Sequence, residues 1–149
     1  MISSGADTAG KRPEYSFGVV VLNWNNGDDT LSCLDAIALT DPRPQCIVVV
    51  DNGSVDNSAA AIGARLTQVG SLEPLAFEHS VTLIRAGANL GFAGGTNLGL
   101  AWLKANTSVT HFILLNNDAT VSPSFFGDAA DSLRQIGDCL LYTSPSPRD

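Results

Sequence analysis

Apolar runs that end in polar residues alternate along this chain with stretches of helical periodicity. FGVVVLN (Phe17–Asn23), CIVVVD (Cys46–Asp51) and VTLIR (Val81–Arg85) read as strands. HFILLNN, from His111, is the fourth, and its first five residues are too apolar for a half-exposed strand, which predicts cover on both faces. DDTLSCLDAIALT (Asp28–Thr40) predicts a helix with acidic residues at its positive end, stopped by DPRP because prolines and the residues before them resist helix. After the turn NGSV, Asp56 is expected to cap a helix through Leu66. A third helix is expected over Gly94–Ala105, and Pro123 suits the first turn of a closing helix.

Strand–helix alternation predicts right-handed crossovers and a parallel sheet, hence an α/β, Rossmann-like fold with helices on both faces. The expected strand order is 3-2-1-4, with the switch point between the first and fourth strands. Ligands of such sheets bind beyond the carboxyl ends of the strands. The loops after Asn23, Asp51 and Asn116 therefore converge on one edge.

Composition narrows the partners. A chain of 149 residues supports one core and little more, and 44% hydrophobic against 15% charged residues predicts a packed globule. With a formal charge of −7 and no basic run, nucleic acid is excluded as a partner. Cys33, Cys46 and Cys139 lack metal-ligand spacing and an even count, which fits reduced thiols in a cytoplasmic protein. No apolar stretch reaches the roughly 20 residues that span a bilayer. Residues 1–15 read as a flexible tail without a secretory signal. CLLYTSPSPRD (Cys139–Asp149) breaks the preceding helical pattern and matches one reading frame of a common transposase sequencing adapter. It is expected to be an artefact tail that follows a partial domain over 16–138.

Four segments carry candidate chemistry. In VVVDNGSVDNS, Asp51 ends a strand before the tight turn Asn52-Gly53. It either caps backbone amides there or accepts from a nucleobase N–H or ribose hydroxyl. In LNWNNGDD, the loop after the first strand has one glycine and not G-x-G-x-x-G, which argues against NAD. Asn23 and Asn25 can hydrogen-bond a base or ribose, and Trp24 is either packing or stacking. In ANLGFAGGTNLG, Gly91, Gly94 and Gly95 allow a close approach of backbone to ligand. Gly94–Asn97 opens a helix whose free amides favour anions. In NND, Asp118 is either a turn former or the carboxylate that holds a hard cation against a phosphate. His79 and His111 have no partner at ligand or catalytic spacing, and His111 belongs near the bottom of the sheet.

VVVLNWNN, CIVVVDNGSVDNS, NLGFAGGTNLGL and HFILLNNDATVSP, in this order from Phe17 to Phe126, resemble the N-terminal, nucleotide-sugar-binding half of family 2 glycosyltransferases with the GT-A fold. The NLGFAGGTN and LLNNDA variants look most like rhamnosyltransferases of polysaccharide assembly. The resemblance implies a dTDP- or UDP-linked sugar donor across the switch point and a glycan or lipid-linked acceptor. It assigns Asp51 to the base, the Asn23–Asn25 loop to the nucleoside, and Asp118 to a Mg or Mn ion. Asn116 stands where the family's Asp-x-Asp motif carries its first acid. The family's general base is an acidic residue of the second half, outside this chain. An inverting transfer needs that base to deprotonate the acceptor, so the resemblance implies a donor-binding half that is inactive alone. Any membrane association is likewise left to the rest of a full-length protein.

Two other readings share the α/β pattern. A nucleotidyltransferase would carry a basic, Gly-rich loop after the first strand, and LNWNNGDD has no basic residue. A receiver-type signalling domain would use Asp51 as phosphoacceptor, but its first strand would end in an acidic pair.

Overall fold

In a computed structural model of the chain, residues 14–68 and 81–136 are described. The strands are β1 (Phe17–Asn23), β2 (Cys46–Asp51), β3 (Val81–Arg85) and β4 (His111–Asn116). They alternate with α1 (Gly27–Ala38), α2 (Ser58–Gln68), α3 (Gly91–Asn106) and α4 (Phe125–Ile136). All pairings are parallel and the order is β3-β2-β1-β4, as the alternation predicts. Asn23 lies opposite Asp51, and Leu22 opposite Asn116, so the three polar strand ends share one edge.

Period-two alternation divides the strand side chains between two cores. Phe17, Val19 and Val21 of β1 join Ile47 and Val49 of β2 beneath α1, α2 and α4. Phe126 of α4 is fully buried there, its ring 5.8 Å from that of Phe17. The opposite face buries Val20, Val48 and Val50 under Leu103 of α3. Burying each such side chain contributes about 1.5–3 kcal/mol. Gly99 allows α3 to lie this close, because a Cβ there would come within 2.6 Å of the Val20 side chain.

Helices do cover both faces, but unequally, and this corrects the expectation for β4. Helix α3 packs on β1 and β2 and leaves the β4 side of its face open. Phe112 and Leu114 are 37% and 46% exposed, so β4 alternates in burial despite its apolar sequence. Lys104 covers part of the Phe112 ring, with its Nζ 5.9 Å from the centroid.

Several segment boundaries differ from the expected ones. Helix α3 starts at Gly91 rather than Gly94 because contacts from the β2 turn organise its entry, and Leu90 supplies no side-chain cap. Pro123 precedes α4 instead of standing in its first turn, and its carbonyl accepts the Asp41 N–H at 2.8 Å. Glu14 and Tyr15, expected in the loose tail, are held against α4. Glu14 pairs with Arg134 at 3.2 Å, and the Arg134 guanidinium lies 5.4 Å from the Tyr15 ring centroid. His79, Cys139 and the expected artefact tail lie outside the described residues. His111 begins β4 at the far end of the sheet from the polar edge, beside the Tyr15 and Phe17 rings.

Cys33 and Cys46 are free and buried. Burial, and then the Asp118 carboxylate, pushes the Cys33 thiol up to about 11. Burial also raises Cys46, partly opposed by a hydrogen bond with Thr107. Only the thiolate attacks alkylating agents. At pH 8 both thiols therefore stay unmodified by iodoacetamide in the folded chain and react after urea unfolding, as peptide mass spectrometry reads out. Modification of Cys33 in the native chain at the unfolded rate would contradict this packing.

Candidate functional site

The polar edge is organised around one buried carboxamide. Asn23 is 0% exposed, and its Nδ2 donates to Asp51 Oδ1 at 2.8 Å and to Ser58 Oγ at 3.0 Å. Ser54 Oγ lies 3.1 Å from the same nitrogen, and Thr30 Oγ1 donates to Asn23 Oδ1 at 2.7 Å. A residue expected at the ligand thus ties β1 to α1, to the β2 turn and to α2. Buried polar atoms persist only when paired, and every buried side-chain polar atom among the described residues has a partner. Asp51, 3% exposed, also accepts the Ser54 N–H at 3.3 Å. A phosphoacceptor must reach solvent, so this burial disfavours the receiver reading.

Asn25 is exposed, at φ 51°, a left-handed conformation that asparagine tolerates better than most residues. Its Oδ1 accepts the Val55 N–H at 2.8 Å, and its own N–H donates to Ser54 Oγ at 2.9 Å. The β1 and β2 loops are therefore stitched together. Asp56 caps α2 as expected, its carboxylate accepting both the N–H and the hydroxyl of Ser58. Those bonds hold the Asp56 carboxyl below its usual range.

Beside this scaffold a cleft of about 400 Å³ opens at the switch point between β1 and β4. Leu22, Trp24 and Asn52 form one wall, and Asn89, Gly91 and Phe92 a second. Asn116 and Asn117 close it from β4. None of these residues is charged. Trp24 is 54% exposed and Phe92 61%, so the Trp24 ring is no core filler. Asn117 Nδ2 donates to Asn26 O at 3.2 Å, which holds the β4 turn against the start of α1.

Of the residues singled out from sequence, Gly91 and Asn116 line the cleft. Gly94 and Asn97 lie farther along α3, and Asn23, Asn25 and Asp51 form the support behind the walls. Asp118 is exposed in the turn two residues past Asn116, closed by the Ala119 N–H to Asn116 O bond of 3.0 Å. Sequence reading left out Asn52, Asn89 and Phe92. Asn52 directly follows Asp51, but its partners lie 37 to 39 positions later, at a spacing no local pattern reveals.

Among the described residues no three His, Cys, Asp or Glu side chains gather to hold an ion. An exposed single carboxylate beside a neutral cleft fits a cation of another kind. Magnesium-like ions keep waters and take ligands from substrate phosphates, so one carboxylate suffices as the protein anchor.

A parallel α/β sheet with a cleft at its switch point and a helix N-terminus in the cleft wall is the arrangement in which open α/β folds place their ligand sites. The comparisons go further. The glycosyl transferase family 2 model matches residues 18–146, and the chain belongs to that family. Solved structures show the same fold. Residues 1–349 of TarS from S. aureus align with a TM-score of 0.60 at 19% identity, over 80% of this chain and 32% of that one. The complex of the same TarS segment with UDP-GlcNAc gives 0.61 at 18% identity, over 80% and 31%. The mannosyltransferase PcManGT from Pyrobaculum calidifontis, with GDP-Man and Mn2+, gives 0.66 at 21%, over 81% and 33%. The chain thus spans about a third of the length of these structures. No curated protein sequence matches it.

Proposed function

We propose that this chain is the donor-binding half of an inverting glycosyltransferase. The complete enzyme would pass a hexosyl or rhamnosyl group from a dTDP- or UDP-linked donor to a glycan or lipid-linked acceptor. The neutral, aromatic-rimmed cleft at the switch point carries this reading. Exposed Trp24 offers a face for base stacking, and the carboxamides of Asn89, Asn116 and Asn117 offer donors and acceptors to ribose and sugar hydroxyls. Asp51, 3% exposed and tied to Asn23 and to the Ser54 N–H, is proposed to hold the β2 turn beneath the base, not to accept from the base itself.

A diphosphate in this cleft would meet no basic side chain among the described lining residues. Its charge faces the first-turn amides of α3 and the Asp118 carboxylate that would anchor Mg2+ or Mn2+. When bound there, the cation supplies charge neutralisation for the departing diphosphate. The Mn2+ in the PcManGT complex and the UDP-GlcNAc in the TarS complex support these assignments. The protein is proposed to act on the cytoplasmic side, where nucleotide sugars are at hand. Among the described residues no helix is long and apolar enough to cross a membrane.

Calorimetric titration with UDP tests the reading. Binding is expected to strengthen with manganese, and that enhancement disappears in Asp118→Ala while the fold persists. A well-folded sample that binds no nucleotide would reject the donor site. Sugar transfer by the 149-residue chain alone would reject the claim that this half is inactive by itself.

A further inference from the structure

The Asn52 carboxamide spans the two walls of the cleft. It is buried, and its Oδ1 accepts the Leu90 N–H at 3.0 Å. Its Nδ2 donates to Asn89 Oδ1 and to Gly91 O, both at 3.1 Å. Its own backbone N–H is anchored on Asn23 O at 2.8 Å. Asn89 Oδ1 in turn accepts the Gly91 N–H at 2.8 Å. The entry to α3 is thereby held by a side chain from the β2 turn.

We propose that Asn52 is a positioning residue of the donor cleft, locking Asn89–Gly91 and the first turn of α3 in the geometry that receives the donor. The functional half of this proposal rests on the donor-site reading. The local half does not.

The chemistry requires a carboxamide. One planar group must present an acceptor to Leu90 and donors to two oxygens at once, which neither a carboxylate nor a hydroxyl can do. In Asn52→Asp the second oxygen would face Asn89 Oδ1 and Gly91 O at the distance where the amide now donates. Leu90, the N-cap of α3, brings no capping side chain that could take over. Residues 87 to 92 are otherwise exposed, so the clamp is the principal restraint on that wall. Asn52 does not touch Asp118, so its loss should leave metal dependence unaltered.

Amide hydrogen exchange by NMR and UDP calorimetry on the 149-residue chain test this together. In Asn52→Asp the Leu90 and Gly91 amides should exchange about tenfold faster or more, the equivalent of about 1.4 kcal/mol, with Val20 and Val48 unchanged. UDP affinity should fall by a similar factor, with the ratio of affinities with and without manganese as in the unaltered chain. Asn89→Ala, at an exposed position, should release the Gly91 amide in the same way and keeps the test decisive if Asn52→Asp does not fold. Unchanged protection of Leu90 and Gly91 in the folded variants overturns the clamp, whether or not nucleotide binds. Lost protection with unchanged UDP affinity overturns the positioning role. Lost protection in the variants of a chain that binds no UDP at all upholds the clamp and rejects the donor site.

Discussion

Asn23→Ala is expected to lower the stability of the folded chain by about 3 kcal/mol, with an unaltered slope in urea unfolding. The side chain is fully buried and serves Thr30, Asp51, Ser54 and Ser58 together. All four keep a second bond: Thr30 to Asn26 O, Ser58 to Asp56, Ser54 Oγ to the Asn25 N–H and Asp51 to the Ser54 N–H. The cost therefore centres on the Asp51 carboxylate, which loses its 2.8 Å donor inside the protein. Hydrogen bonds to buried charged groups contribute about 1.5–3 kcal/mol each, and the vacated volume adds to this. A loss of this size lowers Tm by roughly 10 °C in a domain of this length. A loss under about 1 kcal/mol would mean that water replaces the carboxamide and that Asn23 is no hub.

Gly53→Ala should destabilise by a comparable amount, for a different reason. Gly53 sits at φ +71°, a conformation that costs a residue bearing a Cβ about 1 kcal/mol. The new methyl would also stand 2.5 Å from Ala88 C and 2.7 Å from Asn89 N. Both are backbone atoms, so relief requires moving the whole segment that enters α3, and such overpacking costs about 1–3 kcal/mol. The sum is about 3 kcal/mol. Gly87→Ala, two residues from Asn89, is the control. Nothing lies within 4 Å of its Cβ position, and the change should stay within about 0.5 kcal/mol. Equal unfolding midpoints for the two variants would contradict the docking of the β2 turn on residues 88 and 89.

The strands were readable with unusual accuracy because parallel strands buried in a sheet centre are continuous apolar runs. The ends of β1, β2 and β3 fall where their runs end. β4 has the same composition but lies outermost, where α3 packs mainly on β1 and β2 and covers β4 through Lys104, and no property of HFILLN itself records that. The polar strand ends were equally legible as a group. Their division of labour was not. Asn23 and Asp51 differ little in sequence context from Asn116, but their register opposite each other turns them into a buried pair, whereas Asn116 faces the cleft.

The sequence by itself determined the element order, the parallel sheet and the edge at which chemistry gathers. These follow from local hydrophobic period, from the turn signals of rigid proline and permissive glycine, and from the handedness of crossovers. Its motif set also pointed to the family to which the chain belongs. Only the tertiary structure decided which polar residues form the buried support and which line the cleft. That choice depends on hydrogen bonds between segments far apart in the chain, such as Asn52 with Leu90. Burial makes those bonds obligatory, and burial is a property of the packed fold, not of any one segment.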